Sequence, residues 1–120
     1  MQRAEKSRLS METEPLEQTG ADSAVTCKDM SDVRREIDRV DRAIVKLIAE
    51  RQNYIEQAGH IKQSRDTVRD NDRVEDVVAK VRRECERQGA NPDLLEELYR
   101  TMIEWCINYE FTVFDADKGR

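Results

Sequence analysis

The chain has 120 residues, 38% of them hydrophobic and 39% charged, with a formal net charge of −5, so it is one domain at most and poor in core-forming side chains. The acidic balance argues against nucleic acid as a partner, because phosphate binding leaves a basic face, and no stretch approaches the roughly 18 apolar residues of a membrane span. The three cysteines, Cys27, Cys85 and Cys106, show neither CxxC nor Cys/His ligand spacing, so no disulfide framework, metal site or metal cofactor is indicated and a reducing cytoplasm is the expected compartment.

Residues 1–30 mix Thr, Ser, Glu and Gln with isolated apolar residues, Pro15 and Gly20, and are expected to form a disordered tail. No hydrophobic run follows the first charges, so a secretory signal is not expected. The folded domain is expected over residues 31–120, with Ser31 or Asp32 capping a first helix. Its stripe is Val33, Ile37, Val40, Ile44, Leu47, Ile48, Arg51, Tyr54, Ile55, Ala58 and Lys62, spaced by threes and fours. The pattern runs to about Gln63 or Arg65; Gly59, the one breaker in it, reads either as a helix end or as a mid-helix position whose missing side chain lets another group approach the backbone, and one helix is expected because Ile61 and Lys62 stay in register beyond it. Asp70 or Asn71 is expected to cap a second helix with the stripe Val74, Val77, Val78, Val81 and Cys85, ending at Gln88-Gly89. Asn91-Pro92-Asp93 supplies a cap, a first-turn proline and a first-turn acid for a third. Its stripe is Leu95, Leu98, Tyr99, Met102, Ile103, Cys106, Glu110 and Val113. Period-two alternation is absent, so the fold class is all-α.

Three charges interrupt these stripes. Arg51 and Lys62 are eleven residues apart, which on one helix returns to within about 20° of the same direction. Burying an unpaired cation costs several kcal/mol, so the pattern implies a buried anion supplied by this protein or by a ligand. Glu110 stands four residues after Cys106 and seven after Ile103. Two readings remain open. Arg51 can snorkel and Glu110 can close an interhelical salt bridge, which would make the chain a helical dimerisation or regulatory module. Alternatively the cations converge on an anionic small molecule. Tyr99 and Trp105 are expected to pack, and His60 to lie on a helix face. The first helix, about 50 Å long at 1.5 Å per residue, exceeds the roughly 30 Å span of a small domain. One chain with two shorter helices cannot cover its stripe, which predicts an intertwined homodimer. Arg34, seventeen residues before Arg51 and roughly 100° around the helix, is then placed to serve a site on the other protomer.

The run Arg34 … Arg51 … Gly59-His60-Ile61-Lys62 … Val68-Arg69-Asp70-Asn71-Asp72-Arg73, followed by a third helix bearing Glu110, resembles the all-helical chorismate mutase family and its close relative, isochorismate pyruvate lyase. The resemblance covers residues 31 to about 116. It implies a three-helix protomer dimerised through its long first helix, two equivalent sites, and a dicarboxylate held by Arg34 of one chain and Arg51, Lys62 and Arg73 of the other. Lys62 and Glu110 would bracket the substrate's ether oxygen, Asp70 would lie near the ring hydroxyl, and Val74 and Cys106 would line the site. A rearrangement of chorismate to prephenate needs no nucleophile, metal or cofactor, only a held conformation and a stabilised charge. Val74 stands where well-known bacterial mutases carry a glutamate, as it does in the lyase; Glu110 stands where those enzymes carry glutamine and fungal mutases carry glutamate. The resemblance therefore implies chorismate mutase first and the lyase as the alternative.

Overall fold

The computed structural model describes residues 20–119. After a 3-10 turn at Ala21–Ser23, the described chain is three helices, α1 (Met30–Ile61), α2 (Asn71–Gln88) and α3 (Pro92–Lys118), with a second 3-10 turn at Arg65–Thr67 between α1 and α2. The tail expectation for residues 1–19 lies outside the described residues.

Each helix begins where a side chain can take up the free amides of its first turn. Asp29 caps α1 by accepting from the Asp32 N–H at 2.9 Å, two residues before the expected Ser31 and three before Asp32. Asp70 caps α2 by accepting from the Arg73 N–H, and Asn91 caps α3 ahead of Pro92. Gly89 ends α2 at φ 76°, the left-handed conformation that glycine adopts without penalty. The end of α1 corrects the sequence expectation. The helix stops at Ile61, and Lys62 is already extended at φ −64°, ψ 141°, although its N–H still reaches Ala58 O.

α3 is the shared partner: α1 packs against it from one side and α2 from the other. The core is Val68, Val78, Ile103, Ile107 and Phe114, with Val74, Val77, Tyr99 and Phe111 packed around it, so it lies chiefly between α2 and α3. α1 buries only Gly59, while Ile37, Val40, Ile44, Leu47 and Ile48 stay exposed. Trp105 is also a correction, since it is 75% exposed rather than packed; Leu98 is exposed too, although its neighbours in the stripe turn inward. The chain spans 56 Å along its long axis with a radius of gyration of 17.9 Å, against about 13 Å for a compact domain of this size. Among the described residues no helix is long and apolar enough to cross a membrane.

Outside the core, α2 and α3 are held by arginine–carboxylate forks. Arg100 meets Glu75 through two bonds of 2.9 and 3.0 Å and Glu96 through a third of 2.8 Å. Arg69 grips Glu104 in the same two-pronged way. The hydrogen bonds donated by Arg100 hold the Glu75 and Glu96 carboxyls below their ordinary range, and those from Arg69 do the same for Glu104. A carboxyl whose pKa is lowered on folding stabilises the fold above its unfolded value and loses that contribution as pH falls through the folded one. The melting temperature should therefore be level above the ordinary glutamate value of 4.5 and decline below it. Arg100→Gln should lower the neutral-pH melting temperature and make the acid decline shallower. Thermal melts across an acid series check this; an unchanged acid slope in the variant would rule out the forks as its source.

Candidate functional site

The site grows from one line along α3. Tyr99, Cys106 and Glu110 are seven and eleven residues apart, two and three turns, so all three face the same direction. α1 runs beneath that line and meets it at two levels. At the upper level Arg51 donates from Nη1 toward Cys106 Sγ at 3.4 Å, and its guanidinium carbon lies 5.8 Å from the centre of the Tyr99 ring. At the lower level Lys62 Nζ lies 2.7 Å from Glu110 Oε2 and also donates to Val68 O at 3.3 Å.

Gly59 makes the lower level possible. A Cβ built there would fall 2.8 Å from Val113 Cγ1 and 3.3 Å from Glu110 O, so the α3 backbone sits where any other residue of α1 would hold it off. The close approach read from the sequence is thus α3 itself. Glu110 is pulled to the floor of this crossing and is 4% exposed. Its contact with Lys62 is ionic rather than a directed hydrogen bond: Oε2 is sealed from solvent and no donor is aligned with it. Breaking such a pair from one side strands a buried charge. His60, by contrast, faces outward with Nδ1 3.4 Å from Asp117 Oδ2, in keeping with a helix-face role.

Arg51 and Arg73 line a common groove of about 360 Å³, together with Val77, Lys80, Val81, Glu84 and Tyr99. The groove is open, and Lys62 and Glu110 lie outside its walls. Arg73 and Lys80 share one carboxylate, Asp76, at 2.7 and 2.9 Å; their two hydrogen bonds, that of Lys80 foremost, hold it below the ordinary aspartate range. Asp76 was not singled out from the sequence, although its spacing of three from Arg73 and four from Lys80 is the helical ion-pair spacing. Glu84 is bonded to Arg87 and Gln88. Arg51 meets no carboxylate at ion-pair distance among the described residues. Val74 is half-buried against the core. Asp70 is occupied as the α2 cap and borders a separate hollow with Thr67 and Arg69. Arg34 is exposed on the far part of α1, about 25 Å along the helix from Arg51, and joins no site within the protomer.

Residues 33–111, well over half of the chain, match the family described as chorismate mutase type II. The chain belongs to this family. A relative from Pseudomonas aeruginosa named isochorismate pyruvate lyase is 27% identical over 93 residues, covering 78% of this chain and 92% of that protein. The all-helical protomer expected from the sequence agrees with the family, and the protein belongs with its enzymes.

Gly59→Ala tests the crossing. Alanine is the better helix former by about 1 kcal/mol, yet the overpacking against Val113 should outweigh this and give a net destabilisation of about 1–3 kcal/mol. Denaturant unfolding measures it, and a more stable variant would show that α3 has room to shift.

Proposed function

We propose that the protein is a chorismate mutase acting as a homodimer with two shared sites. The observation that supports this most is Arg51. It is a half-buried guanidinium in an apolar stripe, held by a thiol and a ring rather than by a carboxylate, so its charge stays available to an anion. A structural ion-pair network would have neutralised it. In this reading Arg51 binds one substrate carboxylate in the two-pronged geometry that guanidinium favours. Arg73 leaves Asp76 to help hold the substrate, with Val74 and Cys106 at its edges and Asp70 near the ring hydroxyl. Arg34 arrives from the second copy, whose approach also covers Ile37, Val40, Ile44, Leu47 and Ile48.

The reaction needs the enolpyruvyl arm held over the ring and the charge growing on the ether oxygen met by a donor. Lys62 supplies one hydrogen bond to that oxygen, and Glu110 a second when its carboxyl carries a proton. No group has to act as nucleophile. The second reading, isochorismate pyruvate lyase, draws on the name of the Pseudomonas aeruginosa relative and on Val74. The same clamp suits isochorismate, which differs in where its ring carries the hydroxyl.

Incubating the purified protein separately with chorismate and isochorismate decides between these readings. Prephenate is the expected product, salicylate plus pyruvate would select the lyase, and turnover of neither would end the enzyme assignment. Lys62→Ala should lower turnover by on the order of a hundredfold or more, the scale of losing one preorganised charge. A glutamine amide donates at every pH whereas a carboxyl donates only when protonated. Glu110→Gln should therefore keep turnover at neutral pH at least at the wild-type level, and Glu110→Ala should lower it; an inactive glutamine variant, or an alanine variant with wild-type turnover, would remove Glu110 from this role. Sedimentation should give a dimer at micromolar protein that persists on dilution, with Ile44→Asp abolishing it. A folded wild-type monomer would sink the shared-site arrangement.

A further inference from the structure

We propose that Tyr99 is a positioning residue for Arg51: its ring and the Cys106 thiol form a neutral seat that fixes the guanidinium in the groove. The inference rests on the reading above, in which Arg51 receives a substrate carboxylate. An arginine side chain is long and rotamer-rich, and a clamp built from it binds weakly unless something else has already ordered it. The common way to order it is a carboxylate partner, but that partner competes with the ligand for the same N–H groups.

The three cation–ring contacts among the described residues show the difference. Arg65 stacks 4.5 Å from Phe111 and is also forked by Asp115; Lys118 lies 5.2 Å from Phe114 and is also paired with Asp117. Arg51 over Tyr99 is the case, among the described residues, in which the ring is not backed by a carboxylate. Its other hold is the weak acceptor Sγ of Cys106, two turns further along the same face of α3. The negative face of an aromatic ring attracts and orients a guanidinium without cancelling its charge. Tyr99 can serve because it is itself held, half-buried against the core between α2 and α3. Across the groove, Arg73 and Lys80 must first give up Asp76 before they can meet an anion. The fixed cation of the groove is thus Arg51, and the groove wall that fixes it is Tyr99.

The test is a set of variants assayed with chorismate. Tyr99→Leu keeps apolar bulk and removes the ring, and should raise KM by about fivefold to tenfold with kcat within about twofold, the size of a half-buried cation–ring contact. Tyr99→Phe keeps the ring and should restore KM. A tetrafluorinated phenylalanine at position 99 keeps the shape but withdraws electron density from the ring face, and should raise KM as leucine does without lowering the melting temperature; it also settles the matter if Tyr99→Leu folds poorly. In an Arg51→Ala background, Tyr99→Leu should have no further effect on KM. An unchanged KM in the fluorinated protein, or an undiminished effect of Tyr99→Leu without Arg51, would overturn the proposal and leave Tyr99 a packing residue. Should the wild type turn over neither substrate, the functional reading fails separately. The seat is then judged by the Arg51→Ala and Tyr99→Leu cycle in thermal stability, where coupling supports it and strict additivity refutes it.

Discussion

At Gly59 the bare backbone of α1 receives the Val113 side chain and the Glu110 carbonyl of α3, and this contact sets the position of the charged groups on both helices. It brings the Glu110 backbone against α1 and sends the Glu110 carboxyl into the protein. The Lys62 ammonium reaches that carboxyl only because the chain leaves the helix after Ile61 and turns toward Val68. A bulkier residue at 59 would lift α3 and separate the ammonium from the buried carboxylate. Upward from the crossing the two helices keep the same relation, and Arg51 comes to lie against Cys106 and Tyr99.

The resulting site is uneven in its electrostatics. Lys62 is satisfied by Glu110, while Arg73 and Lys80 are satisfied by a single exposed aspartate. Arg51 is satisfied by neutral groups alone. Surface pairs such as Arg73–Asp76 contribute little to stability and open readily, whereas the buried Lys62–Glu110 pair is costly to disturb. The site therefore has one fixed cation, one fixed ion pair and two releasable cations. For a member of the chorismate mutase type II family, this fits a reaction driven by holding and charge rather than by covalent chemistry.

Much of this was legible in the sequence where local chemistry decides the structure. Asp70, Asn91-Pro92 and Gly89 mark helix ends through their own side chains or backbone freedom, and each stands where those rules place it. Glu110 betrayed its burial by occupying an apolar register. The end of α1 was misplaced because the apolar register continues through Ile61 and Lys62 and outweighed the breaker Gly59, whereas the helix stops at Ile61 and Lys62 turns to Val68 and Glu110. Ile107 and Phe114 were passed over because α3 turns a second apolar edge toward α2, and a single stripe cannot describe a helix packed on two sides. Trp105 misled in the other direction, since an aromatic residue in a helix reads as core unless one knows which faces its neighbours occupy. The Tyr99–Arg51 contact joins α3 to α1 across forty-eight positions, and no local rule reaches that far.

The groove that holds Arg51, Arg73 and Lys80 is a positive patch on a protein whose net charge is −5. For a dianion of the kind proposed, the protein repels at long range and attracts only near that patch, within a Debye length of about 8 Å at physiological ionic strength. Encounter is then selected by direction rather than accelerated overall, and salt screens the repulsion and the attraction together. A dianionic product leaves through the same field, assisted outward once it has passed the patch. In the proposed reading, Asp76, which bonds both Arg73 and Lys80 in this structure, would be the anion that replaces the departing product there.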